Sequence, residues 1–465
     1  MIVSTLQNLV IGYFVGLNVC YLALNLLALK GLTRTLQRQD FDELPPLYLG
    51  LEPPITILAP AYNESLSIAA SVRSLLQLNY SEYEILVIND GSKDETLDVL
   101  MREFALQPFP EAYHTSLETR PIRAIYHSKT YPNLRVIDKE NGGKADALNA
   151  GINGARYPLF CAVDADSILQ RDSLRKAVQP FLEDATTVAA GGTIRIANGC
   201  EVKGGFLVKT GLPTNYLALF QIVEYLRAFL FGRLGWSSLN ALLIISGAFG
   251  LFSKERVVEA GGYRTDTIGE DMELIVRLHR TLRLAGVPYR ITFLPDPVCW
   301  TEAPEDLKTL KNQRIRWQQG LGESLLKNLP LMFHPKSGLI GWLAFPFLFF
   351  FEWLGPLIEV GGALFMGWSF LQGAVSYEAM GVFLFVSVGL GILLSVSAVL
   401  LEEISFHVYP RFRHLLMLLG AIVAENFGYR QLNTVWRMIG LFRLVSGRKA
   451  RWGEMTRRGA LTRAE

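Results

Sequence analysis

The sequence predicts an α/β domain built on a mostly parallel sheet and flanked by membrane helices, and three observations predict it. Short apolar runs ending in small or acidic residues recur between residues 55 and 166, helix-like stretches separate them, and a charge-rich middle lies between long uncharged ends. Half of the 465 residues are hydrophobic and the formal charge is +2, which leaves room for one large domain plus a membrane region. Near neutrality, with no basic tract interleaved with aromatics, argues against a nucleic-acid partner. Cys20, Cys161, Cys200 and Cys299 form no CxxC pair and read as reduced thiols.

No charge stands between Met1 and Leu29, and Lys30, Arg34 and Arg38 follow. Residues 1–30 therefore read as a spanning helix with its far end in the cytosol. They read as an anchor rather than a signal peptide, since no basic start precedes the run and no small-residue cleavage site follows. Residues 31–54, with Pro45, Pro46, Pro53 and Pro54, read as a linker, and the main domain is expected over 55–335. ITILAP (Ile55–Pro60), YEILVIND (Tyr83–Asp90), LRVIDKEN (Leu134–Asn141) and PLFCAVDAD (Pro158–Asp166) are its strands, with Ser65–Leu78 and Lys144–Ile152 as covering helices. Such sheets hold ligands at the carboxyl ends of their strands. Between Ser337 and Tyr377 only Glu352 and Glu359 are charged, and Ala379–Leu401 has no charge, so 336–429 is the second membrane region. His414–Ala424 runs into Glu425 and Asn426, as a span with functional polar residues or as a helix packed inside a bundle. The arginine-rich stretch 430–465 is expected to be a cytosolic tail, so two or four spans lie between the main domain and it.

Asp164 and Asp166 close an apolar strand, where alternation puts both carboxylates on one side. Such a pair suits Mg²⁺ or Mn²⁺ bridging a leaving diphosphate, although Asp-x-Asp is also common in turns. PAYNES (Pro60–Ser65) and INDGSKDET (Ile88–Thr96) both follow strands and precede helices. There Asp90 can accept from a base N–H and Gly91 lets the backbone come close. NGGKADALNAG (Asn141–Gly151) sets two glycines before a helix that starts at Lys144, a cradle for a diphosphate with one point charge. In IGEDMEL, Glu270 and Asp271 stand at a helix start, as caps or with Asp271 as a general base. Gln313, Arg316 and Trp317 share one helical face, fit either for stacking on a sugar and binding an anion or for a membrane interface.

Taken in order, PAYNE, NDGS, NGGKADALN, DAD, ISGAFG, GED and QRIRW resemble the inverting family 2 glycosyltransferases over about residues 50–335. The resemblance is to the processive membrane synthases of the cellulose, hyaluronan, chitin and poly-N-acetylglucosamine type, with the wording nearest the last. It implies a GT-A fold with interface helices at about 212–234 and 304–333. By the same match Tyr62, Glu64 and Asp90 lie around the uridine, Asp164 and Asp166 at the diphosphate and metal, and Asp271 is the base, with Glu270 beside it. Ser246, Gly247, Gln313, Arg316 and Trp317 then belong to the acceptor. The implied reaction transfers sugar from a UDP-sugar, UDP-N-acetylglucosamine before UDP-glucose, to a growing β-linked polysaccharide. The expected setting is the bacterial cytoplasmic membrane, crossed several times, with export of the product and an accessory membrane subunit as a further partner. The competing expectation is a single transfer to a lipid carrier, and the Gln313, Arg316, Trp317 motif counts against it.

Overall fold

A computed structural model describes residues 2–39, 52–110, 112–409 and 411–448. They divide into an α/β unit, with residues 52–211 and 242–303, and a helical unit, with residues 2–36, 212–241 and 304–448.

The strands of the α/β unit are β1 (Ile55–Ala61), β2 (Tyr83–Asp90), β3 (Leu106–Pro108), β4 (Ile122–Ser128), β5 (Leu134–Lys139), β6 (Leu159–Val163), β7 (Ile168–Leu169) and β8 (Thr187–Ile196). A short hairpin of β9 (Glu201–Lys203) and β10 (Phe206–Lys209) follows, then β11 (Phe249–Ser253) and β12 (Arg290–Thr301). Ten of these form one sheet in the order β3-β4-β5-β2-β1-β6-β11-β8-β12-β7. The expected parallel run is present as β5, β2, β1 and β6. Its strands are buried on both faces, hence the Ile, Leu and Val at consecutive positions rather than alternate ones. The sheet as a whole is mixed, because β4 joins β5 and β11 joins both β6 and β8 antiparallel, while β12 lies parallel to β8. With its helices this is an α/β domain, as the motifs imply, on a sheet that is mixed rather than mostly parallel.

The parallel core is cross-linked from below by one buried carboxylate. Glu84 on β2 accepts from Arg135 on β5 at 2.8 Å and from Thr56 on β1 at 2.7 Å. Arg135 also donates to the carbonyl of Gly154, which ends the Lys144–Gly154 helix, at 2.7 Å. A buried ion pair is tolerable when its remaining hydrogen-bonding capacity is taken up in this way.

His279, on the Glu270–Leu284 helix, makes a similar tie. Its Nε2 lies 2.8 Å from the carbonyl of Leu242 and its Nδ1 2.7 Å from the Tyr289 hydroxyl. A carbonyl can only accept, so Nε2 carries the proton and Nδ1 accepts from Tyr289. Burial, aided by the Arg283 charge, outweighs the hydrogen bond to Leu242 and pushes the imidazole down to about 4.

In the helical unit, two helices are long and apolar enough to cross a membrane, Val3–Leu32 and Tyr377–Phe406. Ile340–Trp353 and Gly355–Leu371 add a third if they count as one span bent by 47°. Pro356, in the first turn of the second arm, has no N–H to continue the ladder. The first helix runs from Ile2 to Gln39, so the expected linker begins as helix, built from Leu, Arg and Gln that favour it. The rest of that linker up to residue 51 lies outside the described residues. Phe412–Ala424 is too short to span. Its polar end packs inside the unit, with Glu425 3.0 Å from Arg227 and Asn426 accepting from Arg430 at 2.9 Å. The stretch read as a tail opens with a further helix, Tyr429–Val445. Tyr429 and Trp436 give it a buried face against Leu310 and Ile315, and residues 449–465 lie outside the described residues.

Because His279 takes up its proton only near pH 4 when folded and near 6.5 when unfolded, its contribution is full above pH 6.5 and fades as pH falls toward 4. The melting temperature of the purified chain should fall over that window, while His279→Gln should be less stable at pH 7.5 yet lose less between pH 6.5 and 5. The expected difference in slope is roughly 1.4 kcal/mol per pH unit.

Candidate active site

β1 and β2 end in register, Ala61 beside Asn89, so the loops after them are neighbours. The Asn63 N–H donates to Ser92 Oγ at 3.0 Å, and its side chain accepts from Lys93 N–H at 2.8 Å. Glu64 N–H donates to Thr96 Oγ1 at 2.9 Å and Ser65 N–H to Asp94 Oδ2 at 3.1 Å. Asn63 sits at φ 56°, a left-handed conformation that Asn adopts more readily than most residues. The laced loops leave Tyr62 43% exposed and Glu64 half-buried, its carboxylate accepting from Ser67 at 2.7 Å.

Asp90 is placed differently from the sequence reading, which had it accept from a base. It is 3% exposed, and both of its oxygens are already engaged twice. Oδ1 accepts from Lys139 Nζ at 2.7 Å and Gly142 N–H at 3.0 Å. Oδ2 accepts from Gly143 N–H at 2.8 Å and Asn141 Nδ2 at 3.1 Å. These donors use its lone pairs, so Asp90 shapes the Asn141–Gly143 turn instead. Lys139 is fully buried and also reaches Asp146 at 2.6 Å. Gly91, at φ 64°, allows the close approach expected of it, but toward this turn, since a Cβ there would lie 2.7 Å from Asn141 N.

The Asp164 carbonyl accepts from Ser167 N–H at 3.0 Å, so Asp164 and Asp166 lie in a turn after β6 and not on extended chain. The alternation argument therefore fails, yet both side chains stay half-buried with access to solvent. Lys144 Nζ bonds to Asp164, lies 3.8 Å from Glu270, and approaches the Gly247 carbonyl at 3.4 Å. A Cβ at residue 247 would meet that Nζ at 2.7 Å and would displace the ammonium from this position. Gly247 N–H in turn donates to Asp271 Oδ2 at 3.0 Å, and Asp271 Oδ1 accepts from Met272 N–H at 2.8 Å. Ser246, just before, is half-buried. Burial alone would lower the Lys144 ammonium, but Asp164, Glu270 and Asp271 outweigh it and hold the group above its ordinary value. Lys144, Asp164, Glu270, Asp271 and Gly247 thus form one cluster.

Sequence reasoning missed the parts that brace this cluster. Asn149 exchanges two hydrogen bonds with the Tyr263 backbone, at 2.7 and 2.8 Å, and Arg277 donates to the Gly262 carbonyl at 2.6 Å. The double glycine at 261 and 262 was the available signal. Among the described residues no group of three His, Cys, Asp or Glu side chains makes a complete metal cage. Asp164 and Asp166 nevertheless fit a hard cation, as two accessible oxygen donors completed by phosphate oxygens and water.

In the helical unit, Gln313, Arg316 and Trp317 stand on the Leu307–Lys327 helix, whose first turn is capped by Asp306 accepting from Thr309 N–H at 2.8 Å. Trp317 is 43% exposed, and Gln313 Oε1 is buried with no hydrogen-bond partner among the described residues.

The model for "Glycosyl transferase family group 2" matches residues 159–402, and that for "Glycosyl transferase family 2" matches residues 56–111. A poly-beta-1,6-N-acetyl-D-glucosamine synthase of Staphylococcus aureus is 33% identical over 294 residues, 63% of this chain and 60% of that protein. Its counterpart from Staphylococcus epidermidis is 30% identical over 59% of this chain and 56% of its own length. The chain thus matches only about three-fifths of these relatives. A mannosyltransferase structure from Pyrobaculum calidifontis, in complex with GDP-Man and Mn²⁺, is 17% identical with a TM-score of 0.48, over 93% of this chain and 100% of that one.

Replacing Lys139 by Met leaves Asp90 and Asp146 as buried carboxylates without their cation, so thermal unfolding should show a loss of about 3–5 kcal/mol. Asp90→Asn, which keeps one acceptor oxygen and the Lys139–Asp146 pair, should cost less in the same measurement.

Proposed function

Because the chain belongs to glycosyl transferase family group 2, whose model matches more than half of it, we propose that it builds a β-linked polysaccharide by repeated inverting transfer from a UDP-sugar, UDP-N-acetylglucosamine before UDP-glucose. The observation that carries the reading is the meeting of Lys144, Asp164, Glu270 and Asp271 in one cluster, with Lys144 and Asp164 following the carboxyl ends of β5 and β6. Likeness to the staphylococcal synthases favours the sugar and the polymer.

In this reading Asp271 accepts the proton of an acceptor hydroxyl, whose oxygen attacks the anomeric carbon from the face opposite the diphosphate. The bond to the diphosphate breaks as the new glycosidic bond forms, and the anomeric centre inverts. Asp271 is held for this by Gly247 N–H and by its own helix, with lone pairs left for the incoming hydroxyl. Lys144 stays charged beside Asp164, where negative charge gathers on the leaving group. Asp164 and Asp166 would hold Mg²⁺ or Mn²⁺, which when bound neutralises phosphate charge. Tyr62 and Glu64 serve the nucleoside, Asp90 and Gly91 shape the loop beside it, and Ser246, Gly247, Gln313, Arg316 and Trp317 serve the acceptor.

Lys30, Arg34 and Arg38 after the first span favour the cytosolic side of a bacterial membrane for the α/β unit. Counting the bent pair as one span gives two spans between the α/β unit and the Tyr429–Val445 helix, an even number that returns the chain to the same side. The product then leaves across the cytoplasmic membrane, with an accessory membrane subunit as a candidate partner.

The test is the purified, reconstituted chain with either UDP-sugar and Mg²⁺ or Mn²⁺, measuring released UDP and product size. Polymer is expected from UDP-N-acetylglucosamine, lost on chelation and restored by Mn²⁺. Asp271→Asn should slow it by about 10²–10⁴-fold. Labelled single-sugar glycolipids as the sole product would replace the processive reading with transfer to a lipid carrier, and an unaffected Asp271→Asn would remove the base.

A further inference from the structure

The acceptor motif on the Leu307–Lys327 helix contains an arginine that the motif reading did not use. Arg314 is nearly buried, its side chain 4% exposed. Its guanidinium carbon lies 4.5 Å from the centre of the Trp317 ring, within the range of a cation over an aromatic face. Two further helices fix that guanidinium. Glu224, at the end of the helix Tyr216–Tyr225, accepts from Arg314 Nη2 at 2.8 Å. The same oxygen accepts from the Tyr429 hydroxyl, at the start of the Tyr429–Val445 helix, at 2.9 Å. The three helices also share an apolar cluster of Leu310, Ile315, Tyr429 and Trp436, with Phe220 packed 5.1 Å from the Tyr429 ring. At Gly440 the backbone comes so close that a Cβ would meet the Ile315 carbonyl at 2.8 Å.

We propose that Arg314 is a positioning residue, held by Glu224 and Tyr429 against the Trp317 indole so that the ring is already set for the sugar that stacks on it. An exposed tryptophan loses rotational freedom when a ligand settles on it, and a ring fixed beforehand loses less. The planar guanidinium suits this task because it lies flat against an aromatic face while its fork donates sideways to a carboxylate. The proposal rests on the reading of Trp317 as an acceptor residue, and the experiment separates the two.

Initial rates of the reconstituted full chain are measured with UDP-N-acetylglucosamine at saturation and a β-linked N-acetylglucosamine oligomer varied as primer. Arg314→Met should raise the primer KM about fivefold while kcat changes less than about twofold. Glu224→Gln and Tyr429→Phe, which loosen Arg314 without removing it, should raise the KM in the same direction, and they carry the test if Arg314→Met does not fold. Arg314→Lys, which keeps the cation but loses the flat face and the fork, should recover only part of the wild-type KM. A fall in kcat or melting temperature with the primer KM unchanged would make the clamp merely structural and overturn the proposal. If Trp317→Ala raises the primer KM and Arg314→Met does not, the acceptor reading stands and the clamp falls. If Trp317→Ala leaves the primer KM unchanged, the acceptor reading fails and takes the clamp with it.

Discussion

The α/β unit depends on how it accommodates one buried cation. The Lys139 ammonium has no access to water, and it is tolerable there because Asp90, Asp146 and the Glu140 carbonyl all accept from it. Asp90 passes the constraint on, since its other lone pairs draw in Gly142 and Gly143. Those glycines lead into the Lys144–Gly154 helix, so the place of Lys144 among Asp164 and Glu270 is set by a charge it never touches. Burial makes this arrangement stiff, because a donor withdrawn from Asp90 leaves an uncompensated charge in low dielectric.

Much of this was legible locally. The runs in Ile55–Pro60, Tyr83–Asp90 and Leu134–Asn141 are rich in Ile, Leu and Val at consecutive positions, as strands buried on both faces are bound to be. Glycine before Lys144 and acid at residues 164 and 271 marked the cluster because strand ends and helix starts carry their own signals. Pairings were not legible. Phe249–Ser253 is five residues long and follows a long apolar stretch, and nothing local says that it divides β6 from β8. Asp90 shows the same limit at the scale of one side chain, since the NDGS motif gives the acceptor but the donors come from residues 139–143. The basic stretch after Tyr429 was misleading for a compositional reason. Its arginines dominate the count, while Trp436, Ile439 and Gly440 supply the packed face.

Part of the buried polarity of the helical unit gathers against the same motif helix. Arg437 reaches the Glu352 carboxylate at 2.9 Å and Gln318 at 3.1 Å, while Gln318 donates to the Trp353 carbonyl at 2.8 Å. A Cβ at Gly322 would meet the Trp353 indole nitrogen at 2.3 Å, so the helix backbone lies directly against that ring. Ion pairs, small residues and a capped first turn thus act together on one element, and rigid support of this kind is what an ångström-scale binding surface requires.

The place of β11 also bears on how the molecule is made. Strands β1 to β6 are contiguous in the sheet and can pair among themselves once Val163 has been synthesised. The remaining strands of the sheet, β8, β12 and β7, connect to them only through β11, which the ribosome delivers after the apolar segment 212–241. Six of the ten strands therefore wait with an unsatisfied edge on β6 while that segment emerges. Any delay in handling residues 212–241 prolongs the exposure, which ties the yield of folded chain to the pace of translation and membrane targeting across that stretch.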